Sequence, residues 1–184
     1  MRFHTKKTIV MVGMMGAGKT AVGKALAAKL GVPFLDSDAS IEQAANMTVQ
    51  EIFERDGEAF FREKESQVIS RLLREKVGIL STGGGAFLAE RNRREISENG
   101  VSVWLDASLE LLWSRVRHKT TRPLLRTPDP KATLTEIYEA RVPIYALADL
   151  RVESRPEYSI EQMADQVCHA LKSRPDVLEV RSHA

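Results

Sequence analysis

The chain has 184 residues, which is enough for one well-buried domain and short for two. Its 27 Lys and Arg residues nearly balance 25 Asp and Glu residues, so we do not expect an electrostatic nucleic-acid binder. The one cysteine, Cys168, excludes an internal disulfide framework and a cysteine metal cluster, and it fits a reducing cytosol. The apolar stretch after residues 1–7 breaks at Gly13, too early for a membrane span or a signal peptide. We therefore expect one cytoplasmic domain over residues 1–184.

Apolar runs alternate with helical patterns along the whole chain. In the first helical pattern Val22, Leu26 and Leu30 recur every four residues, and Gly31 ends it. This alternation predicts a parallel sheet covered by helices on both faces, with ligands bound beyond the carboxyl ends of the strands. The predicted strands cover residues 8–12, 33–35, 77–81, 101–105 and 150–153. The predicted helices cover residues 21–30, 39–45, 58–75, 89–98, 108–116, 132–146 and 160–172.

Residues 13–20, directly after the first strand, match the phosphate-binding pattern G-x-x-x-x-G-K-[ST]. Glycines in such a loop allow successive N–H groups to converge on the phosphate oxygens of a nucleotide. Lys19 would supply a positive charge to the outer phosphates, and Thr20 would offer a hydroxyl to Mg²⁺. The N-terminus of the following helix adds its dipole. The sequence therefore predicts a site for a nucleotide.

Two carboxylates, Asp36 and Asp38, follow the second predicted strand. This spacing suits a division of labour, with one acid near a metal ion or its waters and the other near a substrate hydroxyl. An alternative is that Asp38 caps the helix-like segment 39–45. We favour the functional interpretation because the strand before these acids is expected to lie beside the phosphate-loop strand.

Three consecutive glycines, Gly83, Gly84 and Gly85, follow the third predicted strand. They could form a flexible turn, but their entropic cost favours a place where a ligand approaches the main chain. The fourth strand is followed by Asp106, which imitates the metal-ordering acid of motor proteins. Because no second acid follows it, we interpret Asp106 as the cap of the helix near Ser108. The sequence lacks the Asp-x-x-Gly and Asn-Lys-x-Asp elements of GTPases, which leaves a small phosphotransferase.

The arginines allow two interpretations. Arg62 lies four residues after Glu58 and three before Glu65, spacings typical of ion pairs on a helix surface. Spacing assigns Arg141 neither to an ion pair nor to a ligand. The basic stretch 115–131 could be a solvated loop, but its length and composition favour a lid that closes over a nucleotide.

Taken together, these motifs resemble those of the shikimate kinase family from about Ile9 to about Leu171. Six segments in the same order carry the resemblance, in a chain of the right size. They are residues 15–20 (MGAGKT), 34–38 (FLDSD), 57–65 (GEAFFREKE), 81–86 (STGGGA), 122–125 (RPLL) and 141–145 (RVPIY).

The resemblance implies a nucleoside-monophosphate-kinase-like P-loop NTPase fold that phosphorylates the 3-hydroxyl of shikimate with ATP and one Mg²⁺ ion. Asp38 is similar to the acid that binds the substrate hydroxyls and accepts the reacting proton. Asp36 corresponds to the carboxylate that orders the Mg²⁺ shell through water, and Thr20 to a Mg²⁺ ligand. The implied shikimate-binding residues are Asp38, Arg62, Gly83, Gly84, Gly85 and Arg141, with both arginines facing the carboxylate.

The resemblance also divides the chain into functional segments. It implies a substrate-binding segment at about 36–65 and a lid at about 115–131, in which Arg122 reaches the transferred phosphate. We further expect a monomer, and we expect residues 173–184 to form a mobile tail. The implied ATP-binding residues are Met15, Gly16, Ala17, Gly18, Lys19, Thr20, Arg115 and Arg122, and Lys19 and Arg122 join Asp38 as catalytic residues.

Two alternatives have different sequence requirements. A gluconate or nucleoside monophosphate kinase would share the phosphate loop, but is not expected to combine the acid pair, the glycines, Arg62 and Arg141. A regulator that binds nucleotide without catalysis is expected to have lost Lys19, Asp38 or Arg122, and all three are present.

Overall fold

The computed structural model describes residues 2–118 and 126–182. Its strands are β1 (Arg2–Thr5), β2 (Thr8–Val12), β3 (Phe34–Asp36), β4 (Ile79–Ser81), β5 (Gly100–Asp106), β6 (Leu150–Glu153) and β7 (Leu178–Arg181). Five of them form one parallel sheet in the order β3-β4-β2-β5-β6. The predicted five-stranded parallel sheet is confirmed, and each predicted strand overlaps an observed one.

The helices lie between these strands and cover the sheet. They are α1 (Lys19–Leu30), α2 (Ser37–Ala45), α3 (Val49–Asp56), α4 (Glu58–Glu75), α5 (Glu90–Asn99), α6 (Leu109–Val116), α7 (Pro130–Tyr145) and α8 (Ile160–Leu171). A short 3₁₀ turn, Ala86–Leu88, precedes α5. The seven predicted helices are all found, with bounds that differ by two residues or fewer. Within the two described ranges no helix is both long and apolar enough to cross a membrane.

The central strand β2 is buried along its whole length, because β4 and β5 flank it and helices cover both faces of the sheet. Its register fixes the position of the loops that follow. Met11 of β2 pairs with Ser81 of β4, and Ser81 pairs in turn with Asp36 of β3. The loops that leave these three strands therefore begin side by side at one edge of the sheet.

Helix α3 is the helix that the sequence analysis did not predict. Thr48 caps it by accepting a hydrogen bond from the Glu51 backbone N–H at 3.1 Å, and Ile52 is its buried residue. A helix of eight residues with one buried position has too few apolar repeats to be recognised from periodicity.

The predicted mobile tail is wrong for residues 173–182. Strand β7 in this tail pairs with β1 as an antiparallel ribbon, in the register Phe3 with Val180. Val177 and Leu178 are buried, and the Lys6 backbone N–H donates to the Val177 carbonyl at 2.7 Å. The sequence did not reveal this sheet, because each terminus contributes only one strand of four residues. Neither strand has a long apolar pattern of its own.

Candidate active site

The predicted phosphate loop joins β2 to α1 and has the backbone that its glycines permit. Gly13, Gly16 and Gly18 have φ values of +148°, +83° and +91°, which side chains disfavour. Gly16 is also needed for space, because a β-carbon there would lie 2.7 Å from the Cγ1 atom of Val116 in α6. Gly18 is the N-cap of α1 and has no side chain to occupy the first N–H groups, which leaves them for an anion.

Lys19 folds back over its own loop. Its Nζ donates to the carbonyl of Gly13 at 2.5 Å and to that of Met14 at 3.3 Å. Arg115, at the end of α6, donates from Nη1 to the Gly16 carbonyl at 3.0 Å, and partial burial lowers its pKa. Both cations therefore lie at the phosphate loop, and their contact with a nucleotide stays a prediction.

The two acids at the end of β3, Asp36 and Asp38, make different contacts. Asp36 is the N-cap of α2, and its Oδ1 accepts the Ala39 backbone N–H at 3.0 Å. The cap that the sequence analysis offered as an alternative for Asp38 thus belongs to Asp36. Asp38 lies in the first turn of α2, and its buried Oδ1 has no hydrogen-bond partner within residues 2–118 and 126–182. Burial raises the pKa of Asp38, the negative charge of Asp36 adds to this, and Lys19 opposes it.

Each of the three glycines after β4 makes room for a charged side chain. None of them has a positive φ, so what glycine provides at these positions is space and not a special backbone conformation. A β-carbon would lie 2.9 Å from Asp38 Oδ1 at Gly83, 3.0 Å from Arg141 Nη1 at Gly84 and 2.5 Å from Arg62 Nη2 at Gly85. This glycine turn, residues 83–85, therefore brings together one acid and two arginines that are far apart in the sequence.

Arg62 does make the helical ion pairs that its spacing predicted. Its Nη1 lies 3.0 Å from Oε1 of Glu65, and its Nε lies 3.6 Å from Glu58. Glu65 is only 1% exposed, so this pair is not a surface pair. Burial raises the pKa of Glu65, the charge of Arg62 opposes that shift, and Asp38 adds to it. The guanidinium is thus held in place by a buried carboxylate, which the sequence analysis treated only as a surface partner.

The family resemblance implies that Arg62 binds the acceptor. Replacing Glu65 with glutamine is therefore expected to raise the KM for the acceptor about tenfold, because a neutral amide holds Arg62 less firmly than a carboxylate. The same substitution should not lower the free energy of unfolding. Since the pKa of Glu65 is raised in the folded state, its ionised form costs stability above that pKa, and the cost disappears as pH falls through it. The glutamine variant should therefore have a thermal midpoint at pH 7 at least as high as the parent.

Glu63→Gln is the matched control, because Glu63 lies on the same helix and pairs with Arg91 at the surface. Steady-state kinetics and thermal melts would check both variants. A lower midpoint together with an unchanged KM for Glu65→Gln would contradict the role of Glu65 in holding Arg62.

Arg141 and Tyr145 lie one turn apart on α7, and both contact the glycine turn. The Tyr145 hydroxyl donates to the Gly84 carbonyl at 2.5 Å. Burial raises the pKa of Tyr145, and the charge of Arg141 opposes the shift. The sequence analysis did not single out Tyr145, because the contact joins residues 61 positions apart.

One cavity of about 630 Å³ connects the predicted sites. The phosphate loop and Thr20 line one part of it, and Asp36, Asp38, Gly83 and Gly84 line another. Arg62 and Arg141 are not among its lining residues, but their guanidinium groups lie close to Gly85 and Gly84 of the glycine turn. Arg115 also lines the cavity, together with four residues that the sequence analysis missed, Ser154, Tyr158, Ile160 and Met163. These four follow β6, so the rule that sites follow strand ends would have found them.

Two further predictions concern Asp106 and the lid, and the structure contradicts the first of them. Asp106 is not the cap of α6, because Ser108 fills that position by accepting the Leu111 N–H at 3.1 Å. Asp106 instead ends β5 and pairs with Arg151 at 2.7 Å. Much of the predicted lid, including Arg122, lies outside the described residues, so its position stays a prediction.

Thr20 and Asp36 provide a hydroxyl and a carboxylate at the same cavity. Oxygen donors of this kind are the ligands that Mg²⁺ prefers. Among the residues that the structure describes, no group of three or more His, Cys, Asp or Glu side chains could enclose a metal ion. One hydroxyl and one carboxylate suit a cation that takes few protein ligands and completes its shell with phosphate and water.

The shikimate kinase family model matches residues 15–172. The shikimate kinase of Ruegeria pomeroyi is 72% identical over 95% of this chain and 89% of its own length. That of Cereibacter sphaeroides is 70% identical over 95% of this chain and 87% of its own.

Two solved structures with similar folds differ in how much they share with this chain. The shikimate kinase of Acinetobacter baumannii in complex with shikimate has a TM-score of 0.85 and 36% identity, covering 91% of this chain and 93% of that one. A gluconokinase from Sinorhizobium meliloti has a TM-score of 0.59 and 19% identity, covering 92% and 94%, and shares the fold alone. By the family match and the level of identity to these relatives, the chain belongs to the shikimate kinase family.

Proposed function

We propose that this protein transfers the γ-phosphoryl group of ATP to the 3-hydroxyl of shikimate, forming shikimate 3-phosphate and ADP. The reaction serves chorismate and aromatic amino acid synthesis. The observation that carries the proposal is the shared cavity, where the phosphate loop lies with Asp38 and the glycine turn. A kinase needs its donor and acceptor held together in this way, since positioning supplies much of the catalysis of phosphoryl transfer.

The donor would bind along the phosphate loop. Backbone N–H groups of residues 15–20 would receive the phosphates, and Lys19 would leave the Gly13 and Met14 carbonyls to bind the outer ones. Arg115 would lie against the adenine. The cavity continues towards Tyr158, Ile160 and Met163, which offer it an apolar surface.

Thr20 and Asp36 would hold Mg²⁺, Thr20 directly and Asp36 through water. When bound, the ion neutralises charge on the β- and γ-phosphates. Asp36 can serve this role while it caps α2, because the cap uses Oδ1 and a carboxylate has a second oxygen.

The acceptor would bind at the glycine turn. Arg62 and Arg141 are planar donors that lie close to Gly85 and Gly84, and they would receive the carboxylate of shikimate. Asp38 would accept a hydrogen bond from the reacting hydroxyl.

Asp38 would act as the general base. Its carboxylate takes the proton of the 3-hydroxyl as that oxygen bonds to the γ-phosphorus, and the bond from phosphorus to the ADP oxygen breaks. A pKa raised by burial makes Asp38 a stronger proton acceptor than an exposed aspartate. Lys19 opposes that shift, so the two groups that would flank the moving phosphate already act on each other electrostatically.

Arg122 would complete the site from the lid. By the family resemblance it stabilises charge on the transferred phosphate, and closure of residues 115–131 would exclude water that competes with shikimate. We propose further that the enzyme is a cytoplasmic monomer whose partners are shikimate and ATP. Light scattering during size-exclusion chromatography would measure its mass.

A coupled assay of ADP release tests the proposed reaction. ATP and Mg²⁺ would be supplied with shikimate, gluconate, AMP or CMP as the acceptor. We expect turnover with shikimate only. Turnover with gluconate or a nucleotide, and none with shikimate, would overturn the proposal.

A further inference from the structure

Tyr145 is the last residue of α7, and its side chain is completely buried. Its ring packs 6.4 Å, between centroids, from Trp104 of β5. Its hydroxyl emerges from this apolar contact and donates to the Gly84 carbonyl at 2.5 Å. Because the ring is fixed by packing, the hydroxyl is a fixed donor at the middle of the glycine turn.

The glycine turn needs such an anchor. Three successive glycines have no side chains that restrict their backbone. The Ala86 N–H closes the turn by donating to the Gly83 carbonyl at 3.1 Å, but this bond uses neither group of the central peptide between Gly84 and Gly85. The carbonyl and N–H of one planar trans peptide point in opposite directions. By holding the carbonyl of Gly84, Tyr145 therefore also sets the direction of the Gly85 N–H.

Arg141 approaches the same peptide from the preceding turn of α7. A β-carbon at Gly84 would lie 3.0 Å from Arg141 Nη1 and 3.8 Å from the Tyr145 hydroxyl. The tyrosine hydroxyl and the guanidinium thus lie together over Gly84. A shift of the glycine turn would change the space that Arg141 occupies, so the two elements are positioned jointly.

We propose that Tyr145 is a positioning residue for the acceptor substrate: its hydroxyl fixes the Gly84 peptide and, through it, the placement of Arg141. This inference rests on the proposed function, in which Arg141 and the glycine turn bind shikimate. Tyr145 would not touch the substrate. The donor half of the cavity is built on β2, α1 and α6, so it should not depend on this hydroxyl.

Tyr145→Phe removes the hydroxyl and keeps the ring packed against Trp104. The expected result is a rise of about tenfold in the KM for shikimate, as for the loss of one hydrogen bond near a charged group, with the KM for ATP within about twofold. A purely structural role would not separate the two substrates. Tyr138→Phe is the matched control, because Tyr138 lies on the same helix and is partly buried, and it should leave both values unchanged.

A double variant measures the coupling directly. In an Arg141→Lys background, Tyr145→Phe should raise the shikimate KM by much less than tenfold, because the group that it positions is already lost. An unchanged shikimate KM in Tyr145→Phe, or an equal rise for ATP, would overturn the inference. An unchanged shikimate KM in Arg141→Lys alone would instead contradict the proposed role of Arg141, so the two failures are distinguishable.

Discussion

Asparagine at position 38 is expected to lower kcat about 10³-fold while the enzyme still folds and binds ATP. General-base catalysis typically contributes 10²- to 10⁴-fold, and an amide cannot accept the proton of the acceptor hydroxyl. Asp38 is half-buried beside Gly83, and among the described residues one of its oxygens lacks a hydrogen-bond partner, which fits an acceptor kept for the substrate. Asparagine has nearly the same shape, so the result should report on charge and not on packing.

The pH profile provides a second measurement of the same group. Since burial and Asp36 raise the pKa of Asp38, activity should be present above that raised pKa and should fall as pH drops through it. This acid limb should disappear in Asp38→Asn. Asp176→Asn, at an exposed position, should leave kcat and the pH profile unchanged. A kcat within tenfold of the parent for Asp38→Asn would show that another group takes the proton.

Alanine at position 19 is expected to lower kcat/KM for ATP by about 10³-fold. Lys19 is the cation of the predicted phosphate loop, and in the proposed reaction it would stabilise the charge that develops on the transferred group. In the structure its Nζ donates to two carbonyls of its own loop, so its charge is already directed at the place where phosphates would bind. Alanine is a good helix former, so α1 should still form.

Lys24→Ala is the matched control for this variant. Lys24 lies on the same helix, but it is exposed and its Nζ lies over the Phe34 ring. Turnover of the control should be close to that of the parent. Activity of Lys19→Ala within tenfold of the parent would mean that the loop at residues 13–20 is not the donor site.

Much of the candidate site could be predicted because it follows from one rule of parallel sheets. The phosphate loop, Asp36, Asp38 and the three glycines each follow a strand, and β2, β4 and β3 are neighbours. The sequence therefore places their chemistry at one edge before any contact is known. The fold could also be predicted from the sequence, because apolar runs alternate with helical patterns along the chain.

The interpretation of the glycines needed the structure. Sequence favoured a close approach of a ligand to the main chain, whereas the observed neighbours are Asp38, Arg141 and Arg62. Which side chains fill the space above a glycine depends on α2, α4 and α7 packing against the turn. Spacing within one helix carries no information about such contacts.

Arg62 and Asp106 also show that sequence spacing does not reveal contacts between different elements. For Arg62 the ion-pair and ligand interpretations seemed exclusive, yet the buried Glu65 both pairs with the guanidinium and places it over Gly85. Asp106 and Ser108 are both good cap residues two positions apart. The extension of β5 through Asp106 decided between them.

Binding of shikimate and its uncharged carboxamide, measured by isothermal titration calorimetry, tests the central claim that Arg62 and Arg141 receive the acceptor's carboxylate beside Asp38. Charge-assisted hydrogen bonds to two guanidinium groups should make shikimate bind about 100-fold more tightly than the carboxamide. Arg141→Lys should narrow that ratio. Equal affinity of the parent enzyme for the acid and the amide would contradict the claim.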